Sequence, residues 1–185
     1  MRLRREESFL LVVDVQEKLA PHVAQADRVV AHAGALVRAA RLLGVPAFAS
    51  EHCAESIGAT VPALRALVDP DAIVGKVHFS CADEPGCLTR FLATGRRQVV
   101  VAGMEAHVCV MQTALGLVER GFQPFIVRDA VGSRREADRD AALERLAAAG
   151  CSAATTEMVL FEWMHRADIA EFRDILALVK SLQVN

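Results

Sequence analysis

Three residues carry the chemistry this sequence offers: Asp14 in LLVVDVQEKL, Lys76 in GKVHFSC and Cys109 in VVVAGMEAHVCVMQTALGLVERG. Before Cys109 a β-branched run, Val99 to Val101, stops at Gly103. A short turn follows, and the thiol opens an amphipathic segment that ends at Gly121. A cysteine at a helix N-terminus meets unpaired amide N–H groups and the positive end of the helix dipole, which favour thiolate over thiol. Cysteines so placed have a lowered pKa and act as nucleophiles. Asp14, at the end of a buried strand, is placed to accept the thiol proton. Lys76, as a neighbouring cation, is placed to hold Asp14 ionised and to lower the thiol further. Each residue also has an ordinary reading: the aspartate caps a turn, the lysine is solvated, the cysteine packs under a helix. What joins them is position, because all three lie at or just beyond the carboxyl ends of candidate parallel strands.

Those strands are Phe9–Val15, Pro46–Glu51, Ala72–Val77, Gln98–Met104, Gln123–Asp129 and Ser152–Thr155. They are near-continuous apolar runs, the pattern of parallel strands covered on both faces. Helical patterns alternate with them. Asp27–Leu43 has apolar residues at 29, 30, 33, 36, 37, 40 and 43 and is stopped by Gly44 and Pro46. Glu84–Leu92 closes at Gly95, Val110–Arg120 at Gly121 and Glu136–Ala149 at Gly150, and a last amphipathic piece runs from Asp168 to Leu182. Alternation of this kind makes a parallel α/β sheet with right-handed crossovers. Ligands of such sheets bind beyond the carboxyl ends of the strands. With 185 residues and no repeat, low-complexity tract or Pro/Ser-rich linker, residues 1–185 are expected to form one domain.

Composition narrows the function. A net charge of −2 with scattered basic residues disfavours nucleic acid as a partner. The turn after the first strand reads DVQEKLAP, without the GxGxxG of a dinucleotide site, so NAD and FAD are disfavoured. The five cysteines (Cys53, Cys81, Cys87, Cys109 and Cys151) include no CxxC pair, which argues for a reducing, cytoplasmic setting. The apolar run Phe9 to Val13 is interrupted by Asp14, too short for a signal peptide or a membrane span.

The segments quoted above, with IVRDAVGSR and TTEMVLFEWM, resemble the isochorismatase-like cysteine hydrolases, and among them the isochorismatase-domain proteins with a Glu-x-His-Val-Cys motif. The resemblance covers nearly the whole chain. It implies a six-stranded parallel sheet of Rossmann-like order, 3-2-1-4-5-6, with helices on both faces, and a catalytic triad of Asp14, Lys76 and Cys109. It further implies a non-proline cis peptide at Met104–Glu105 that aims the backbone N–H groups of Glu105 and Cys109 at one point, an oxyanion hole. Family members are generally homo-oligomers. The apolar stretch Val159, Leu160, Phe161, Trp163 and Met164 is the candidate contact surface for a dimer or larger assembly.

The match also fails in places. Nicotinamidases of this family bind a metal through an Asp-x-His pair and further histidines; here the stretch reads Ser50-Glu51-His52 followed by CAESIGAT, with no second histidine. One histidine does not meet the ligand count of zinc, so no metal and no other cofactor is expected. Isochorismatases proper lack the cysteine nucleophile, so Cys109 argues against their vinyl-ether reaction. Gln16, two positions past Asp14, either lines the pocket or hydrogen-bonds the turn. His52 reads as a pocket-edge or structural residue, and His107 as shaping the turn before Cys109. Phe48 and Phe79 read first as core, with Phe79 a candidate pocket wall beside Gln16, His52 and His107. Arg134 and Arg135 read as a solvated helix start, and Cys53, Cys81, Cys87 and Cys151 as structural. The expectation is a metal-independent cysteine hydrolase of a small amide- or carbamoyl-type C–N bond. The competing classes are a non-catalytic oligomeric binding protein of the same fold and a redox thiol protein.

Overall fold

All six residues of β1 (Ser8–Val13) are buried, because helices cover both sides of the strand. The computed structural model of the chain describes residues 1–182. Around β1 the sheet adds β2 (Ala47–His52), β3 (Ile73–Lys76), β4 (Gln98–Met104), β5 (Gln123–Gly132) and β6 (Ser152–Ala154). Every pairing is parallel and the order is β3-β2-β1-β4-β5-β6. The expected order 3-2-1-4-5-6 is the observed one.

The helices are α1 (Ala26–Leu42), α2 (Ala54–Ile57), α3 (Pro62–Arg65), α4 (Pro85–Ala93), α5 (Met111–Glu119), α6 (Glu136–Ala148), α7 (Thr156–Met164) and α8 (Phe172–Leu182). Strand alternation divides the interior in two. Leu10 and Val12 of β1 face a core built with α1, α7 and α8, including Leu36, Trp163 and Ile175. Phe9, Leu11 and Val13 face the other way, onto α4, α5 and α6. There Phe9 stacks on Phe91 with centroids 5.1 Å apart and meets Phe48 edge-on at 5.9 Å. Each such buried apolar side chain contributes about 1.5–3 kcal/mol by leaving water.

Several boundaries differ from the sequence expectation. β1 stops at Val13, because Asp14 takes a left-handed backbone (φ 49°) that ends the strand. β5 runs past Asp129 to Gly132, with a register irregularity against β4 between Val101 and Gly103. The last helix starts at Phe172 instead of Asp168.

The apolar stretch near the C-terminus is itself α7, started by Thr155, whose hydroxyl accepts from the Met158 N–H at 3.3 Å. Val159, Leu160, Trp163 and Met164 of this helix lie in the core. Only Phe161 of the five remains exposed, so this stretch is a core helix and not a free contact surface. The 3.6-residue period turns these four side chains into the core and leaves Phe161 and Met158 outside.

Candidate active site

The site forms where β1, β3 and β4 end. Two backbone features set it up. Gly103, at φ 127°, pairs with Val13, and a Cβ there would stand 2.0 Å from the Val13 carbonyl oxygen. Only glycine lets β4 approach β1 this closely, one residue before Asp14. The Met104–Glu105 peptide is cis, as the resemblance implies. The chain then enters a π-helical turn, Ala106–Val110, that runs directly into α5. Cys109 therefore lies within a continuous helical stretch, not at its first residue. π-turns of this kind recur at functional sites.

Asp14 and Lys76 meet here. Lys76 Nζ donates to Asp14 Oδ2 at 2.7 Å, and neither side chain has any exposure. The same ammonium donates to the carbonyls of His78 and Phe79, both at 3.1 Å, so all three N–H groups are used. Burial is the largest single influence and opposes the charge on Lys76, but Asp14, together with Cys81 and Cys109, outweighs it and raises the lysine pKa. The second carboxylate oxygen, Asp14 Oδ1, accepts from the Ser50 hydroxyl at 2.7 Å.

Cys109 is buried, and its thiol feels the charges of both Asp14 and Lys76. Its pKa is raised, against the expectation of an activated thiolate. Burial is the largest cause, the negative charge of Asp14 the next, and the Lys76 cation offsets only part of both. The resting site thus holds a thiol, and of the two charges of the ion pair the anion acts on it more strongly than the cation.

The remaining sequence candidates fall in different places. Gln16 is fully buried; its amide donates to the carbonyls of His52 (3.0 Å) and Gly58 (2.6 Å) and accepts from the His52 N–H (2.8 Å). The left-handed Asp14 breaks the extended geometry that would have put Gln16 beside it, so Gln16 holds the turn. His52, at the end of β2, stacks on Phe79 with centroids 5.1 Å apart. Phe79 is half exposed, so it is no core residue, whereas Phe48 packs against the second core as expected. His107 Nδ1 lies 3.0 Å from Ser133 Oγ and ties the π-turn to the end of β5.

Three features near the site are not legible from spacing. Ser50 lies inside a stretch whose sequence directs attention to metal ligands, and only the sheet register brings it to Asp14. Glu105 is buried, and its Oε1 accepts from both the Arg134 backbone N–H and the Arg134 Nε at 3.0 Å. Arg134 is thus anchored on the turn before Cys109 and is not merely solvated. Cys81 is fully buried and adjoins the pair. Burial and the Asp14 charge act upward on its pKa, but the Cys87 hydrogen bond, the Lys76 charge and the Ser50 hydroxyl bring it down. Among the described residues, no group of three His, Cys, Asp or Glu side chains is arranged to hold a metal ion, and no helix is long and apolar enough to cross a membrane.

Comparison with known proteins agrees with this architecture. The model of the isochorismatase domain matches residues 8–158. Isochorismatase domain-containing protein 2 of Danio rerio is 37% identical over 179 residues, covering 96% of this chain and 89% of that protein. The structure of the MAR1 ribonuclease from Caenorhabditis elegans superposes with a TM-score of 0.91 at 32% identity, over 97% of this chain and 93% of that one. The YcaC gene product of Escherichia coli, described as an octameric hydrolase of unknown specificity, gives a TM-score of 0.87 at 27% identity, over 98% and 89% of the two chains. On these matches the chain belongs to the isochorismatase family and carries its hydrolase fold.

Proposed function

We propose that this protein is a metal-independent cysteine hydrolase of small amide- or carbamoyl-type C–N bonds. The observation that carries the reading is the buried Asp14–Lys76 pair, whose carboxylate acts on the Cys109 thiol more strongly than its ammonium does. A thiol that shares a buried site with a carboxylate is a nucleophile with a general base at hand.

In this mechanism Asp14 takes the proton of Cys109 as the sulfur attacks the carbonyl carbon. The oxyanion that forms accepts hydrogen bonds from the backbone N–H groups of Glu105 and Cys109. Asp14 then passes its proton to the leaving nitrogen as the C–N bond breaks, which leaves a thioester and frees ammonia or an amine. Water attacks the thioester with Asp14 taking one of its protons. The acid departs, and Asp14 returns the proton to the sulfur. Lys76, with all three N–H groups engaged, does not touch the substrate. It keeps a charge beside Asp14 through each transfer.

Residues 1–185 act as one domain in this reading. His52, Phe79 and His107 border the substrate space, and Gln16 acts on it only through the turn. The octameric bacterial neighbour supports a homo-oligomer, and the five free thiols support a cytoplasmic setting. The worm neighbour's name makes RNA a second substrate to test, although a net charge of −2 offers no general attraction to a polyanion. The test is a screen of small amides, carbamates and ureas for ammonia release, with an RNA oligonucleotide beside them and Cys109→Ala as control. Ammonia release that requires Cys109 supports the reading; RNA cleavage alone, or turnover by Cys109→Ala, overturns it.

A further inference from the structure

We propose that Ser50 is a positioning residue of this site, whose hydroxyl fixes the Asp14 carboxylate and stabilises its ionised form. The inference rests on the reading of Asp14 as the base.

Ser50 is buried at 1% exposure and grips Asp14 twice. Its carbonyl accepts from the Asp14 N–H at 3.1 Å, and its hydroxyl donates to Asp14 Oδ1 at 2.7 Å. The carboxylate is therefore clamped from both sides, by Ser50 on Oδ1 and by Lys76 on Oδ2, and cannot rotate about its last bond without losing one of them. A hydroxyl that donates to a carboxylate favours the charged form over the protonated one. β1 and β2 pair Val13 with Ser50, so sheet register alone sets this contact, independent of the loops that shape the pocket. A buried serine kept for packing would need only some partner for its hydroxyl; this one has the base itself. The ionisable groups facing Asp14 are Lys76 from β3, Cys81 from the loop before α4 and Cys109 from the π-turn, with Cys87 behind Cys81.

The test follows alkylation of Cys109 by iodoacetamide across pH, read by peptide mapping and needing no substrate. In the unaltered protein, labelling is expected to show an acid limb, where protonation of the base stops the reaction, and Asp14→Asn to abolish that limb. Ser50→Ala is expected to move the limb up by about one pH unit, the size of one hydrogen bond to a charged group. Ser50→Thr, which keeps a hydroxyl, is expected to restore it towards its original position. Should Ser50→Ala misfold, Ser50→Cys keeps the volume with a weaker donor and is expected to move the limb part of the way. An unmoved limb in the folded variants, whatever happens to the overall rate, overturns the assignment. A limb absent from the unaltered protein, or retained by Asp14→Asn, shows instead that Asp14 is not the base, and the role of Ser50 falls with it.

Discussion

Lys76 Nζ and Asp14 Oδ2 stand 2.7 Å apart with both side chains removed from solvent, and the remaining ammonium donors bind the carbonyls of His78 and Phe79. A buried pair so well satisfied is costly to break from one side, because the partner left behind keeps its charge without compensation.

Lys76→Met should therefore destabilise the fold by about 3–5 kcal/mol in urea or guanidinium titration. The double variant Asp14→Asn, Lys76→Met should lose clearly less than the sum of the two single losses. Equal additivity would mean that the pair is not energetically coupled.

Because the Cys109 thiol is raised by burial and by Asp14, its reactivity near neutral pH should depend on Asp14 as base and not on a standing thiolate. Asp14→Asn keeps the shape and removes the proton acceptor. It should slow both substrate turnover and Cys109 labelling by several orders of magnitude, nearly as far as Cys109→Ala lowers turnover. Cys53, the most exposed of the five thiols, should label at an unchanged rate and serves as the internal reference. Retention of most Cys109 labelling in Asp14→Asn would refute the mechanism.

Stability should fall at alkaline pH. Burial pushes the Cys151 thiol up to about 11, and the Cys109 and Cys87 thiols are raised as well, with only the lowered Cys81 thiol acting the other way. A group whose folded pKa lies above its unfolded value stabilises the fold fully below the unfolded value, near 9 for a thiol. That contribution is lost as pH rises towards the folded value, at roughly 1.4 kcal/mol per pH unit for each thiol. Thermal unfolding followed from about pH 7 to 10 should show Tm steady at first and then declining above about 8.5. Cys151→Ala should flatten part of that decline; the same slope with and without Cys151 would contradict its burial as a thiol.

Trp163 is 1% exposed in the core formed with α1 and α8, so Trp163→Ala should cost about 3–5 kcal/mol of stability. Association, if it follows the octameric neighbour, should survive the substitution as long as the fold does. Light scattering beside a denaturation curve separates the two, and loss of assembly without loss of stability would place Trp163 in an interface.

Gly103→Ala should leave no well-folded protein, because its Cβ would sit 2.0 Å from the Val13 carbonyl oxygen, on backbone that cannot move without displacing Asp14. Near-normal circular dichroism and Tm would show that β1 and β4 can separate at this point.

The sheet was legible in the sequence because doubly covered strands must be apolar throughout, and runs such as Phe9–Val13 and Val99–Val101 have few other uses. Alternation with helices closed by Gly44, Gly95, Gly121 and Gly150 then made the sheet parallel. The triad candidates followed from the rule that α/β sheets present their chemistry at carboxyl strand ends, and the family resemblance supplied the strand order and the cis peptide. α7 escaped that reading: an amphipathic period is hard to see in a nearly all-apolar stretch, and only packing decided that Trp163 turns inward while Phe161 turns out. Ser50, Glu105–Arg134 and Cys81 escaped for a different reason. Ser50 finds Asp14 36 residues away, Glu105 finds Arg134 29 residues away and the Cys81 N–H finds the Thr113 hydroxyl 32 residues away, and such contacts arise from register and loop closure, which leave no local pattern. The sign of the Cys109 pKa shift belongs to the same class. The sequence named an acid, a cation and a thiol, and Coulomb's law had no distances to act on until the tertiary structure set Lys76 against the carboxylate and made that carboxylate the stronger of the two charges on the thiol.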